Sequence, residues 1–331
     1  MTFNPLLLGS IQESGAGAAL MTYSTTGSPT TRTHGSYTSL EFTSSGSFTL
    51  LTNPNSLTFD ILVIAGAGSA GVGANSTYGS GGGGAGGYKA WTSQTLSIAA
   101  HTVTVGAGGA ARSSASQTAG ANGSDSSFGS LTASQGGGNG NGAGLDTASS
   151  NRNGGSGGGG SNYNDASSAG YAGGAGQAGY GKEGGNGNTA WPIYTGAGGG
   201  GAYFRGQYSL GAMWHGGRGL QNDWATGSYI DYAGGGGACG YSLFGSAQWW
   251  YGGVATGASS IQTPSVTAEG SSNASYGAGH GTGTQTMNGG SGGANTGGGG
   301  APSAYNATGS GYGSSGAGGS GVVVMRWVTE T

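Results

Sequence analysis

Leu40 and Phe42, then Phe48 and Leu50, alternate with polar residues on either side of Ser44-Ser45-Gly46. A period of two broken by small polar residues predicts two strands joined as a hairpin. Leu57, Phe59, Ile61 and Val63 keep the same period. Leu62 and Ile64 fill the alternate positions, so the end of that strand is expected to be buried on both faces. His101–Val105 alternates as well, and Ser127–Thr132 reads as a turn entering a short strand. Val322–Val328 is dense in β-branched residues and closes the series. Strands at both ends of one domain are expected to pair in a small sheet or sandwich.

Between those strands the pattern changes to glycine. Tracts run over Gly79–Gly87, Gly136–Gly144, Gly154–Gly160, Gly170–Gly187, Gly196–Gly201, Gly234–Gly237, Gly289–Gly300 and Gly309–Gly321. Without a Cβ, such segments can pack backbone against backbone. Extended threefold segments make no internal hydrogen bonds, so neighbouring segments must satisfy every amide and carbonyl. The fold class expected is therefore all-β with a polyglycine II bundle beside the small sheet or sandwich. The competing reading is glycine-rich turns joining the short strands of a β-solenoid. Two regions interrupt the tracts, near 203–232 and 241–269. Residues 1–35, ending in the polar stretch Thr22–His34, read as a separate attachment or assembly segment too small for its own core, or as a plain leader. Residues 36–331 then form the glycine-rich domain.

Composition narrows the class. Of 331 residues 84 are glycine and 6% are charged, with a net charge of -3. That charge leaves no footprint for nucleic acid. Six prolines and unbroken glycine runs exclude collagen. A single cysteine, Cys239, excludes a disulfide scaffold. Met1–Ser10 lacks the positive region of a secretory signal, and no apolar run is long enough to span a bilayer. The chain is expected to be made inside a cell, without membrane insertion, and to act outside it.

Motifs that suggest chemistry fail on inspection. Gly66-Ala67-Gly68-Ser69-Ala70-Gly71 follows a predicted strand and imitates a dinucleotide-binding turn. The glycines after it make a poor helix, and no acid lies where a ribose would need one. Gly176–Lys182 imitates a phosphate loop, but Glu183 stands where a serine or threonine must hold magnesium. His34, His101, His215 and His280 are far apart, without ligand spacing. Asp223 and Asp231 are the nearest acids in an interesting region, and spacing alone does not make them a glycosidase pair. No cofactor, metal or catalytic residue is expected.

Aromatic residues are the uneven feature. Trp191, Trp214, Trp224, Trp249 and Trp250 share one stretch with many tyrosines, Arg205, Arg218, Asp223, Asp231 and His215. Excursions from a repetitive scaffold are where binding residues concentrate, and rigid rings stack on sugars. Tyr203, Tyr208, Trp214, Trp224, Trp249, Trp250 and Tyr251 are the residues expected to be exposed and to bind. The opposing reading makes the aromatics the core that a glycine bundle lacks. Trp91 and Trp327, beside predicted strands, are core candidates.

The order of motifs resembles the glycine-rich domain of phage tail fibres and adhesins. It is carried by Glu41–Leu50, Phe59–Gly68, Val103–Gly109, Asn122–Thr132 and Gly318–Trp327. The resemblance implies a receptor-binding adhesin in the virion that recognises a host cell-surface structure, glycan or protein, and has no enzyme activity. It also implies a homotrimer joined to other tail or baseplate proteins through residues 1–35. A capsid-decorating or tail-spacer fibre is the alternative. The short amino-terminal region and long aromatic insertions depart from the pattern.

Overall fold

The computed structural model describes residues 19–72, 79–113, 118–142, 144, 149–162, 170–187, 193–207, 215–242, 288–303 and 314–330. Its strands are β1 (Thr22–Thr26), β2 (Thr30–His34), β3 (Tyr37–Phe42), β4 (Gly46–Thr52), β5 (Phe59–Ile64), β6 (Tyr88–Gln94) and β7 (Ala100–Thr104). They continue with β8 (Ser127–Phe128), β9 (Ile193–Thr195), β10 (Leu220–Asn222), β11 (Ile230–Tyr232), β12 (Gly240–Ser242) and β13 (Val322–Val328). The fold is all-β.

A five-stranded sheet in the order β2-β3-β13-β5-β6 faces a four-stranded sheet in the order β1-β4-β7-β8. All pairings in both are antiparallel. The carboxyl-terminal strand β13 lies between β3 and β5, so strands from both ends of the domain share one sheet, as expected. The inward residues form the core: Leu40, Phe42, Phe48, Leu50, Phe59, Ile61, Val63, Val103, Phe128, Val323, Met325 and Trp327. Phe48 is its centre, with ring centroids of Tyr23 at 5.4 Å, Phe59 at 5.9 Å and Trp327 at 6.5 Å. Each fully buried side chain of this kind contributes about 1.5–3 kcal/mol.

Two expectations are corrected here. The segments Leu40–Phe42 and Phe48–Leu50 do form strands, but not a hairpin: β3 pairs with β2 and β13, while β4 pairs with β1 and β7. Residues 43–45 cross from one sheet to the other, since both alternating faces point into the same core. Residues 22–34, assigned to a separate segment, belong to the sandwich as β1 and β2, which cross in parallel fashion at Gly27 and Ser28. The two crossings touch, for a Cβ on Gly46 would overlap the carbonyl oxygen of Thr26. Residues 1–18 lie outside the described residues.

The glycine tracts build the rest of the molecule through a threefold hydrogen-bond rotation. Along residues 65–72, Ala65, Gly68 and Gly71 donate to the carbonyls of Gly87, Gly84 and Gly81. Gly66, Ser69 and Val72 donate to Ser124, Ala121 and Thr118, and Ala67 and Ala70 donate to Gly319 and Gly316. Three neighbours are thus met in turn every three residues, as in polyglycine II. Carbonyls of the same segment accept from Gly109, Gly137, Gly140 and Gly300. The segment 79–87 is bonded likewise to residues of 65–72, 135–141, 156–159, 197–200, 236–239 and 297–300, so six chains surround it. Eight or nine residues at a rise of about 3.1 Å make such segments about 25–28 Å long.

Side chains finish the outer segments. The amides of Asn139, Gly173, Ala175 and Ser314 are accepted by the Oδ1 atoms of Asn122, Asn186, Asn153 and Asn288. Asp125 and Ser69 do the same for Gly136 and Ala121. These polar side chains stand where a neighbouring chain would otherwise accept the amide. Their role is structural.

Ala65, Gly87, Gly106 and Gly321 sit where the bundle meets the sandwich, next to β5, β6, β7 and β13. Val72, Gly79 and Asn162 lie together at the far end of the bundle. At the opposite pole Met21 donates its amide to Glu330 at 2.7 Å, and Asn55 binds the same carboxylate at 2.6 Å. The molecule therefore has two distinct poles.

Candidate functional site

The apolar residues of β5 and β13 that face away from the core, Leu62, Ile64, Val322 and Val324, need a cover. Residues 220–233 provide it. β10 and β11 pair antiparallel, Leu220 opposite Tyr232, and place Trp224, Ala225, Tyr232 and Ala233 on that stripe. Asn222 Oδ1 accepts the amide of Trp224 at 2.8 Å, and Asp223 accepts that of Gly227 at 2.8 Å, which closes the loop tightly. Ser39 donates its hydroxyl to the carbonyl of Ala225 at 3.0 Å, and His34 Nε2 lies 3.1 Å from the carbonyl of Trp224.

Arg326 locks this loop to the sheet. Its Nε is 3.0 Å from Asp60 and its Nη1 3.6 Å from Asp223. The guanidinium carbon lies 4.3 Å from the Tyr37 ring centroid and 4.8 Å from that of Trp224. Trp224 is only 8% exposed. Its assignment to the exposed binding set is therefore corrected: the stripe on the outer face of the five-stranded sheet buries it. Trp327 is buried, and Trp91 packs partly buried against the core.

Tyr203 is exposed as expected, at 52%, and its neighbour Phe204, which the sequence reading passed over, is exposed at 47%. The tract 195–201 reaches the sandwich and must turn. Gly201 donates its amide to Phe204 at 2.9 Å, and the amides of Tyr203 and Phe204 both reach the carbonyl of Arg218, at 2.9 and 3.2 Å. Ala202 anchors the turn in the apolar cover. The two rings stand at 4.7 Å, edge to face at 79°. Arg205 follows, its Nη1 3.9 Å from Glu183 Oε1, both well exposed. Tyr229, at the tip of the covering loop, is 73% exposed and was also missed. A turn closing a buried tract is the signal that could have marked Phe204. Tyr208, Trp214, Trp249, Trp250 and Tyr251 lie outside the described residues, as does most of 241–269.

The arrangement suits binding by stacking and charge. The amides of Gly66, Gly68 and Gly71 all donate to bundle carbonyls, so that motif has no free amides to cradle a phosphate. Burial lowers the His215 imidazole below its ordinary value and raises the Cys239 thiol. Among the described residues no group of three His, Cys, Asp or Glu could hold a metal ion.

No curated protein matches the chain. The model of a family described as Glycine-rich domain matches residues 43–328, which takes in the bundle and the sandwich from β4 onward. With most of its length covered, the chain belongs to the glycine-rich domain family.

Proposed function

We propose that this chain is the receptor-binding adhesin of a phage tail fibre, which recognises a host cell-surface structure, a glycan foremost, and catalyses nothing. The observation that carries the reading is the division of the molecule into two poles. Met21, just before β1, and Glu330, just after β13, are joined by a hydrogen bond at one pole. Val72 and Gly79 lie at the other end of the bundle, beside Thr118 and Asn162. A bundle in which a central segment is bonded to six others supplies a rigid stalk between attachment and recognition. Exposed rings at Tyr203 and Phe204, where the bundle meets the sandwich, add contact area at low entropic cost. Attachment to other tail or baseplate proteins through residues 1–35, a homotrimer and a place in the virion are parts of the same reading.

The test is competition. Purified chain added to host cells is expected to bind them and to slow phage adsorption. A chain that neither binds cells nor competes, on particles that contain it, contradicts the proposal in favour of a spacer or decorating protein.

A further inference from the structure

Six asparagines of this chain stand directly before a glycine. Asparagine is a labile side chain, and a following glycine leaves it open to attack by the main chain. In an open chain the glycine nitrogen gives up its proton and attacks the asparagine Cγ. The new C–N bond closes a five-membered imide, the C–NH2 bond breaks, and ammonia leaves. Water then opens the ring to aspartate, or to isoaspartate, which adds a methylene to the main chain. Four of the six, Asn122, Asn153, Asn186 and Asn288, are exposed on the bundle, so burial does not shield them. The packing requires their glycines all the same. A Cβ at Gly123, Gly154, Gly187 or Gly289 would overlap main-chain atoms of Gly66, Gly138, Ser161 or Ala301 respectively.

Each of these pairs grips one neighbouring segment with two bonds. Asn153 Oδ1 accepts the amide of Ala175 at 2.7 Å, and Gly154 donates to the carbonyl of Ala175 at 3.2 Å. Asn288 and Gly289 hold the amide and the carbonyl of Ser314, both at 2.8 Å. Asn122 and Gly123 take the Asn139 amide and the Gly137 carbonyl, at 2.8 and 2.9 Å. Asn186 and Gly187 take the Gly173 amide and the Tyr171 carbonyl, both at 2.9 Å. We infer that the four Asn-Gly pairs are clips that block imide formation, so the bundle guards the labile steps its own packing demands. The attacking nitrogen is tied through its proton to a carbonyl. The group it would attack is held through Oδ1 by the same neighbouring segment. Attack needs both bonds to open together, which happens only when the segment leaves the bundle.

Peptide mass mapping of the full chain, incubated in mildly alkaline buffer with and without denaturant, tests it. Conversion of the four asparagines is expected to run at least about tenfold slower in the native chain. Ala175→Pro deletes the amide held by Asn153 and keeps the carbonyl held by Gly154, and proline fits extended threefold backbone. It is expected to speed conversion of Asn153 about fivefold, the worth of one hydrogen bond, and to leave Asn122, Asn186 and Asn288 unchanged. Those three report that the variant is folded. Ser314→Pro makes the same test at Asn288. Native conversion as fast as in denaturant overturns the inference. So does a folded variant in which the released asparagine reacts no faster than in the wild type. A variant in which all four quicken together has unfolded, and the wild-type comparison then decides.

Discussion

Gly83 and Gly68 meet backbone to backbone: a β-carbon at position 83 would overlap the carbonyl oxygen of Gly68. Both belong to segments closed in by other chains, so neither can step aside. Gly83→Ala is expected to cost about 2–3 kcal/mol, the size of a core overpacking defect. Ala110→Ser, on an exposed outer tract, is expected to stay within about 0.5 kcal/mol. Thermal unfolding of the two variants checks this, and equal melting temperatures would refute the close packing.

Arg326 joins two carboxylates and two rings, and its side chain is 16% exposed. Arg326→Ala leaves Asp60 and Asp223 without their cation and uncovers Trp224. Breaking a largely buried pair costs about 3 kcal/mol. Denaturant titration is expected to show that loss, with native tryptophan fluorescence shifted to the red.

His215 offers a pH dependence with a definite sign. Burial lowers its folded value below the ordinary 6.5. Around and below that pH the unfolded chain binds more protons than the folded one, so stability rises with pH. The contribution is complete above the ordinary value and is lost as pH falls towards the folded one. Melting temperatures at about pH 7.5 and about pH 5.5 are expected to differ more in the wild type than in His215→Gln. A larger difference in the variant would contradict the assignment.

Cys239 is buried against Ser80, its amide donating to the Ser80 carbonyl at 3.3 Å. Burial raises its thiol and withholds the reactive thiolate. An aromatic disulfide reagent is expected to modify it only under denaturing conditions. Prompt reaction of the native chain would show that this end of the bundle opens.

Much of this architecture was legible. The alternation through β5, its double-sided burial, the closing strand β13 and the glycine bundle all follow from residue pattern and the need to pair every amide. Alternation states which side of a strand is apolar, not which sheet owns it, so β3 and β4 were read as a hairpin. β1 and β2 consist mainly of threonine and serine and show no apolar period, which hid them in the leading segment. Trp224 was misplaced for a related reason. The run Leu62–Ile64 announces a second buried face, but nothing in its spacing says which distant residue covers it. Phe204 and Tyr229 are exposed because short turns carry them outward, a consequence of backbone closure that composition does not record.

Hydrogen exchange at the amides of 65–72 and 81–87 tests the central claim most directly. If lateral bonding among side-chain-poor tracts forms a cooperative core, those amides exchange as slowly as the ones in β5 and β13, through global unfolding. Exchange there at the rate of an open chain, while the sandwich stays protected, would mean that the glycine segments do not hold one another and that the stalk does not exist.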